Sequence, residues 1–68
     1  MDRKYFFIYD TEFNARWAYG DVNDRMKDIC RYLIKNTCKP EIFRIVFISS
    51  DMEATETLSL QDYVEAEL

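Results

Sequence analysis

An α+β domain is predicted for this chain: a small three- or four-stranded, mainly antiparallel sheet packed against one central helix, with a short C-terminal helix. Three observations predict it. Tyr5–Tyr9 is an unbroken aromatic and β-branched run, Val22–Asn36 carries apolar residues at steps of three and four, and Glu41–Ser50 is nearly apolar on both alternating sets. The 68 residues are read as one domain, 1–68, and a domain of this size buries only about 60% of the surface its unfolded chain exposes. With hydrophobic residues at 49%, aromatics at 16%, and a single Gly and a single Pro, the composition belongs to a packed chain rather than a disordered one. So little core makes a partner chain or a second copy a plausible source of further burial.

The elements follow in order. Lys4–Tyr9 is a strand covered on both faces, or one whose second face meets a partner. Asp10–Asn14 is a polar connection, and Ala15–Tyr19 returns as a second strand with Ala15, Trp17 and Tyr19 on one face, or else forms an irregular loop anchored by Trp17. Gly20 breaks that segment and Asp21 caps a helix from about Val22 to Asn36, whose stripe is Val22, Met26, Ile29, Cys30, Leu33 and Ile34. Asp21, Asp24 and Asp28 toward its start and Arg31 and Lys35 toward its end match the helix dipole, and Asp21 can pair with Arg25. Pro40 stops the helix. Glu41–Ser50 is a central strand with Arg44 near its start or at a rim, Ser50–Ala54 a turn, and Thr55–Leu58 a candidate fourth strand. Ser59 with Asp62 resembles a capping box for a last helix that carries Leu60, Tyr63, Val64 and Leu68 on one side.

Charge is unevenly placed. Residues 50–68 hold Asp51, Glu53, Glu56, Asp62, Glu65 and Glu67 with no Lys or Arg, whereas residues 1–49 carry nine Lys/Arg against seven Asp/Glu, so the net charge of −4 arises from one end. Glu65 and Glu67 crowd the negative end of the last helix's dipole, so helix stability alone does not account for them. An anionic array of this kind suits a protein partner with a basic surface, with Leu60, Tyr63 or Leu68 as apolar anchors.

Chemistry is poorly provided for. No His is present, which removes the usual general base and metal ligand, and one Gly cannot build a phosphate-cradling loop. Cys30 falls on the helix stripe as a small core residue, and Cys38, though near Lys35 and Lys39, has no His to complete a catalytic pair. In an extended helical geometry the two lie about a dozen ångströms apart, so no disulfide is expected. Neither Asp51 with Glu53 nor Asp62 with Glu65 follows a calcium-loop pattern. The chain is therefore expected not to be an enzyme and to need no cofactor or metal.

Arg3, Lys4, Arg16, Trp17 and Tyr19 mix cations with aromatics as single-strand binders do, but a strongly acidic tail on the same small body disfavours direct nucleic-acid binding. The leading expectation is a small acidic intracellular module, such as viruses and mobile elements encode, that occupies the basic groove of a nucleic-acid-binding protein by mimicking the phosphate backbone. Its partner-binding residues would be Asp51, Glu53, Glu56, Asp62, Tyr63, Glu65 and Glu67. The alternative is a structural or accessory subunit in which the apolar strands bury a face in a homodimer or larger complex. No apolar run is long enough for a membrane span and no signal h-region is visible, so a cytoplasmic setting with reduced thiols is expected.

Overall fold

The computed structural model describes residues 2–68. Strands β1 (Tyr5–Asp10), β2 (Arg16–Asp21), β3 (Phe43–Ile48) and β4 (Ala54–Ser59) form one antiparallel sheet in the order β2-β1-β3-β4. Helix α1 (Asp24–Asn36) lies between β2 and a single 3₁₀ turn at Pro40–Ile42 that leads into β3, and α2 (Leu60–Glu67) follows β4 directly. The expected α+β arrangement is present, with four strands: Arg16–Asp21 and Ala54–Ser59 are both paired edge strands.

Register decides which side chains meet the helices. Phe6 lies opposite Phe47 and Ile8 opposite Ile45, and these four with Phe43 turn toward α1 and α2. They enclose Met26 and Cys30 of α1 and Leu60 and Tyr63 of α2 in one core. Burying each such side chain stabilises the fold by roughly 1.5–3 kcal/mol. Ile29, Leu33 and Ile34 border the core from α1, as their helical spacing predicts. The intervening pairs, Tyr5 with Ile48, Phe7 with Val46 and Tyr9 with Arg44, turn to the opposite face, where neither helix packs.

Three local expectations are corrected. Gly20 does not end β2 but lies inside it, opposite Phe6, with a φ of 151° that side-chain-bearing residues rarely adopt. The α1 cap is Asn23 rather than Asp21: its Oδ1 accepts the Met26 N–H at 3.0 Å, so the helix starts two residues later than the apolar stripe suggests. The helix ion pairs that form are Asp24–Lys27 and Asp28–Arg31. In β2 a bulge opposite the Ile8/Tyr9 step inserts Trp17, so Trp17 and Tyr19 do not share a face. The indole instead lies on the helix side, edge-on against Phe43 at 5.4 Å and 79°, and stays 56% exposed. The cap expected for α2 is formed, with Ser59 Oγ accepting the Asp62 N–H at 3.4 Å.

Candidate protein-interaction surface

The carboxylates of the second half divide into two groups. Glu56 leaves β4 on the helix side, where Arg3 meets it in a bidentate pair: Nε donates to Oε1 at 2.6 Å and Nη2 to Oε2 at 2.9 Å. The third guanidinium nitrogen donates to Glu67 Oε1 at 3.0 Å, which ties α2 to the same cation. The guanidinium also lies over the Phe47 ring, 4.4 Å from its centroid, and Tyr63 flanks it at 5.8 Å. Hydrogen bonds from Arg3 hold the Glu56 carboxyl below its usual range. Glu56 and Glu67 are thus neutralised within the chain.

Tyr63, expected to face a partner, is a core residue: it is 5% exposed and its ring stands edge-on to Phe47 at 5.3 Å. Burial pushes its phenol above the ordinary range. Leu60, expected as an apolar anchor, is completely buried. The stripe of α2 faces inward because an eight-residue helix holds its shape only by docking. Asp51 and Glu53 sit in the β3–β4 turn, and Asp62 and Glu65 lie on the outer side of α2. Among the described residues, none of these four has an ion-pair partner.

The cation-and-aromatic set of the first half also separates. Arg3 is engaged as above, and Trp17 Nε1 donates to Asp10 Oδ2 at 2.8 Å. Asp10 itself is buried, its other oxygen accepting the Phe13 N–H at 2.6 Å; these bonds hold its carboxyl below the ordinary range. Arg16 and Tyr19 lie on the helix-free face instead, with the guanidinium 4.5 Å from the Tyr19 ring centroid.

That helix-free face carries a second set of apolar groups outside the enclosed core. β1 contributes the half-buried Tyr5, Phe7 and Tyr9, β2 contributes the exposed Tyr19, and β3 contributes the half-buried Ile48 beside Val46, which is only 5% exposed. An antiparallel sheet with one solvated side ordinarily alternates to polar residues there. Here Phe7, Tyr9, Asn14, Arg16, Val46, Ala54 and Thr57 line one shallow depression. Its neighbour, formed by Tyr5, Phe7, Arg16, Tyr19, Ile48 and Met52, continues the surface to the end of the sheet. Tyr19 is 69% exposed and Met52 71%. Met52 also has a φ of 64°, a left-handed conformation that a Met adopts at a cost of about 1–2 kcal/mol. Among the described residues, the formal charges that strand register places on this face are Arg16, Arg44 and Asp21. Arg44 Nη1 donates to the carbonyls of Glu41 and Phe43, which turns it toward the rim. The sequence contained the signal for this surface in the unbroken Tyr5–Tyr9 run, whose odd-numbered members have no partner layer.

Cys30 is buried, with its thiol pushed up to about 11 by that burial and its Sγ 3.4 Å from Met26 Sδ, whereas Cys38 is exposed; both are free. Among the described residues no group of three Cys, Asp or Glu side chains is placed to hold a metal ion, and no helix is long and apolar enough to cross a membrane. No protein-family model, curated protein or solved structure matches this chain.

Proposed function

We propose that this chain is a non-catalytic protein-binding module, a structural or accessory subunit, that works by contact through the helix-free face of its sheet. The observation that carries the reading is the row of Tyr5, Phe7, Tyr9, Tyr19 and Ile48 on a face over which neither helix packs. Aromatic side chains with a polar tip are the groups that contribute most to protein interfaces while tolerating water when the partner is absent. A strained, exposed Met at the rim supports the same assignment, since backbone strain that the core does not require is retained at contact sites. Two free thiols, one of them exposed, suit a reducing, cytoplasmic setting.

A second reading rests on Asp51, Glu53, Asp62 and Glu65, which have no counter-ion among the described residues: an acidic inhibitor seated in the basic groove of a nucleic-acid-binding protein. It has fewer carboxylates to offer than the sequence promised, because Arg3 occupies Glu56 and Glu67. Direct nucleic-acid binding is weaker still, because Arg3 and Trp17 are engaged by Glu56 and Asp10 away from the face that Arg16 and Tyr19 share.

Capture of partners from lysate of the native host by three forms of the protein separates the readings. The sheet-face assignment expects Tyr19→Glu to abolish capture, and Asp51→Asn with Asp62→Asn and Glu65→Gln to leave it intact. The acidic-module reading expects the reverse, with retention falling steeply as salt rises.

A further inference from the structure

We infer that the occupant of the helix-free face is a second copy of the chain, packed sheet against sheet with the strands of the two copies antiparallel. This rests on the sheet-face reading above and names its partner.

Area is the first support. Strands of six residues at ~3.3 Å per residue are ~20 Å long, and four of them spaced ~4.8 Å apart cover a footprint of ~400 Å². Two such faces, with the relief of their aromatic side chains, remove about 1,000 Å² of accessible surface, which reaches the lower bound for a specific interface. Two facing sheets also complete the layered packing that a single sheet with helices on one side leaves unfinished.

Charge is the second support, and it selects both the face and the orientation. Two bodies of net charge −4 repel, and the approach that costs least uses a surface free of excess carboxylate. Arg16 and Asp21 balance on the strands of this face and Arg44 adds one positive charge at its rim, whereas the β3–β4 turn and α2 carry the unpaired acids. Arg16 lies beside Tyr9 at one end of β2 and Asp21 beside Tyr5 at the other. A two-fold axis midway between the sheets and perpendicular to the strands lays β2 reversed over its counterpart. Each Arg16 then meets the partner's Asp21, Phe7 meets its own equivalent near the axis, and the pair of cross-contacts is generated twice by symmetry. A two-fold axis parallel to the strands would instead lay β2 over the partner's β4, at the opposite edge of the sheet, and leave Arg16 and Asp21 without each other.

Sedimentation velocity with multi-angle light scattering over a wide concentration range tests this. The expected species is a dimer of the 8.2 kDa chain. Tyr19→Glu, at a position too exposed to disturb the core, should give a monomer with an unchanged circular dichroism spectrum. Arg16→Asp and Asp21→Arg should each raise the dimer Kd about tenfold or more. The double exchange, Arg16→Asp with Asp21→Arg, should restore it. A dimer indifferent to these changes, or weakened by both single exchanges without recovery in the double, overturns the proposed packing. A wild-type monomer at every concentration overturns the second copy as occupant. In that case binding of a hydrophobic dye that Tyr19→Glu abolishes would leave the sheet-face reading standing, and no dye binding would remove both.

Discussion

At the scale of single residues, Arg3 and Asp10 show how this chain uses charges that its sequence presents as free. Arg3 reaches partners 53 and 64 positions away, and no local spacing rule connects such residues, so the acidic second half reads as uncompensated in the sequence alone. Its planar guanidinium makes the bidentate pair with Glu56 and stacks on Phe47 together, a combination that Lys cannot reproduce. Arg3→Ala should therefore lower stability by about 2 kcal/mol, or about 10 °C in Tm, and Arg3→Lys should recover less than half of that in thermal melts. The carboxyls of Asp2, Asp10 and Glu56 are all held below their ordinary values, chiefly by the hydrogen bonds they accept from Ser50, Phe13 and Arg3 respectively. A group whose folded value lies below its unfolded value contributes stability that is complete above about pH 4.5 and is lost as pH falls through the folded value. Melting temperature should thus hold steady from neutral pH to about 5 and decline below about 4. Glu56→Gln should flatten part of that decline while lowering the plateau.

At the scale of elements, the helices and the two central strands were legible, and the edge strands were legible only as alternatives. α1 and β3 have long periodic patterns backed by burial, so register and propensity agree. β2 and β4 each contain a bulge, one inserting Trp17 and one at the Phe47/Ile48 step, and a bulge interrupts the alternation by which a strand is recognised. Gly20 reads as a breaker by type, yet it serves as the strand residue whose φ no side chain tolerates well. The β3–β4 turn shows the converse: a position that suits Gly or Asn holds Met52. Its backbone is fixed by Met52 N donating to the Ser49 carbonyl and Ser49 N to the Glu53 carbonyl, both at 2.9 Å. Met52→Asn should relieve the left-handed strain and raise stability by about 0.5–1 kcal/mol, read by urea denaturation at a concentration low enough to keep copies apart. A loss of stability there would mean that the Met side chain contributes more through packing than its exposure suggests.

At the scale of the whole molecule, the two sides of one sheet obey different rules. One side joins two helices in a closed core of nine side chains, and the other has half-buried aromatics of equal size with no helix over them. The sequence predicted this doubleness in the uninterrupted Tyr5–Tyr9 run but not which side would be bare, because alternation alone does not say where a helix docks. It also drew attention to the acidic end, where Tyr63 and Leu60 proved to belong to the core and two carboxylates to Arg3. If the bare side is closed by a second copy, folding and association are one equilibrium, and stability depends on protein concentration. Unfolding entropy near 2.1 cal/mol/K per residue over two chains makes the expected rise about 5 °C in Tm for each tenfold increase in concentration. Tyr19→Glu should melt at one temperature whatever its concentration, and close to the value the wild type approaches on dilution. A wild-type Tm that does not move with concentration would mean that the nine-residue core holds the monomer alone and that the aromatic face is kept for another protein.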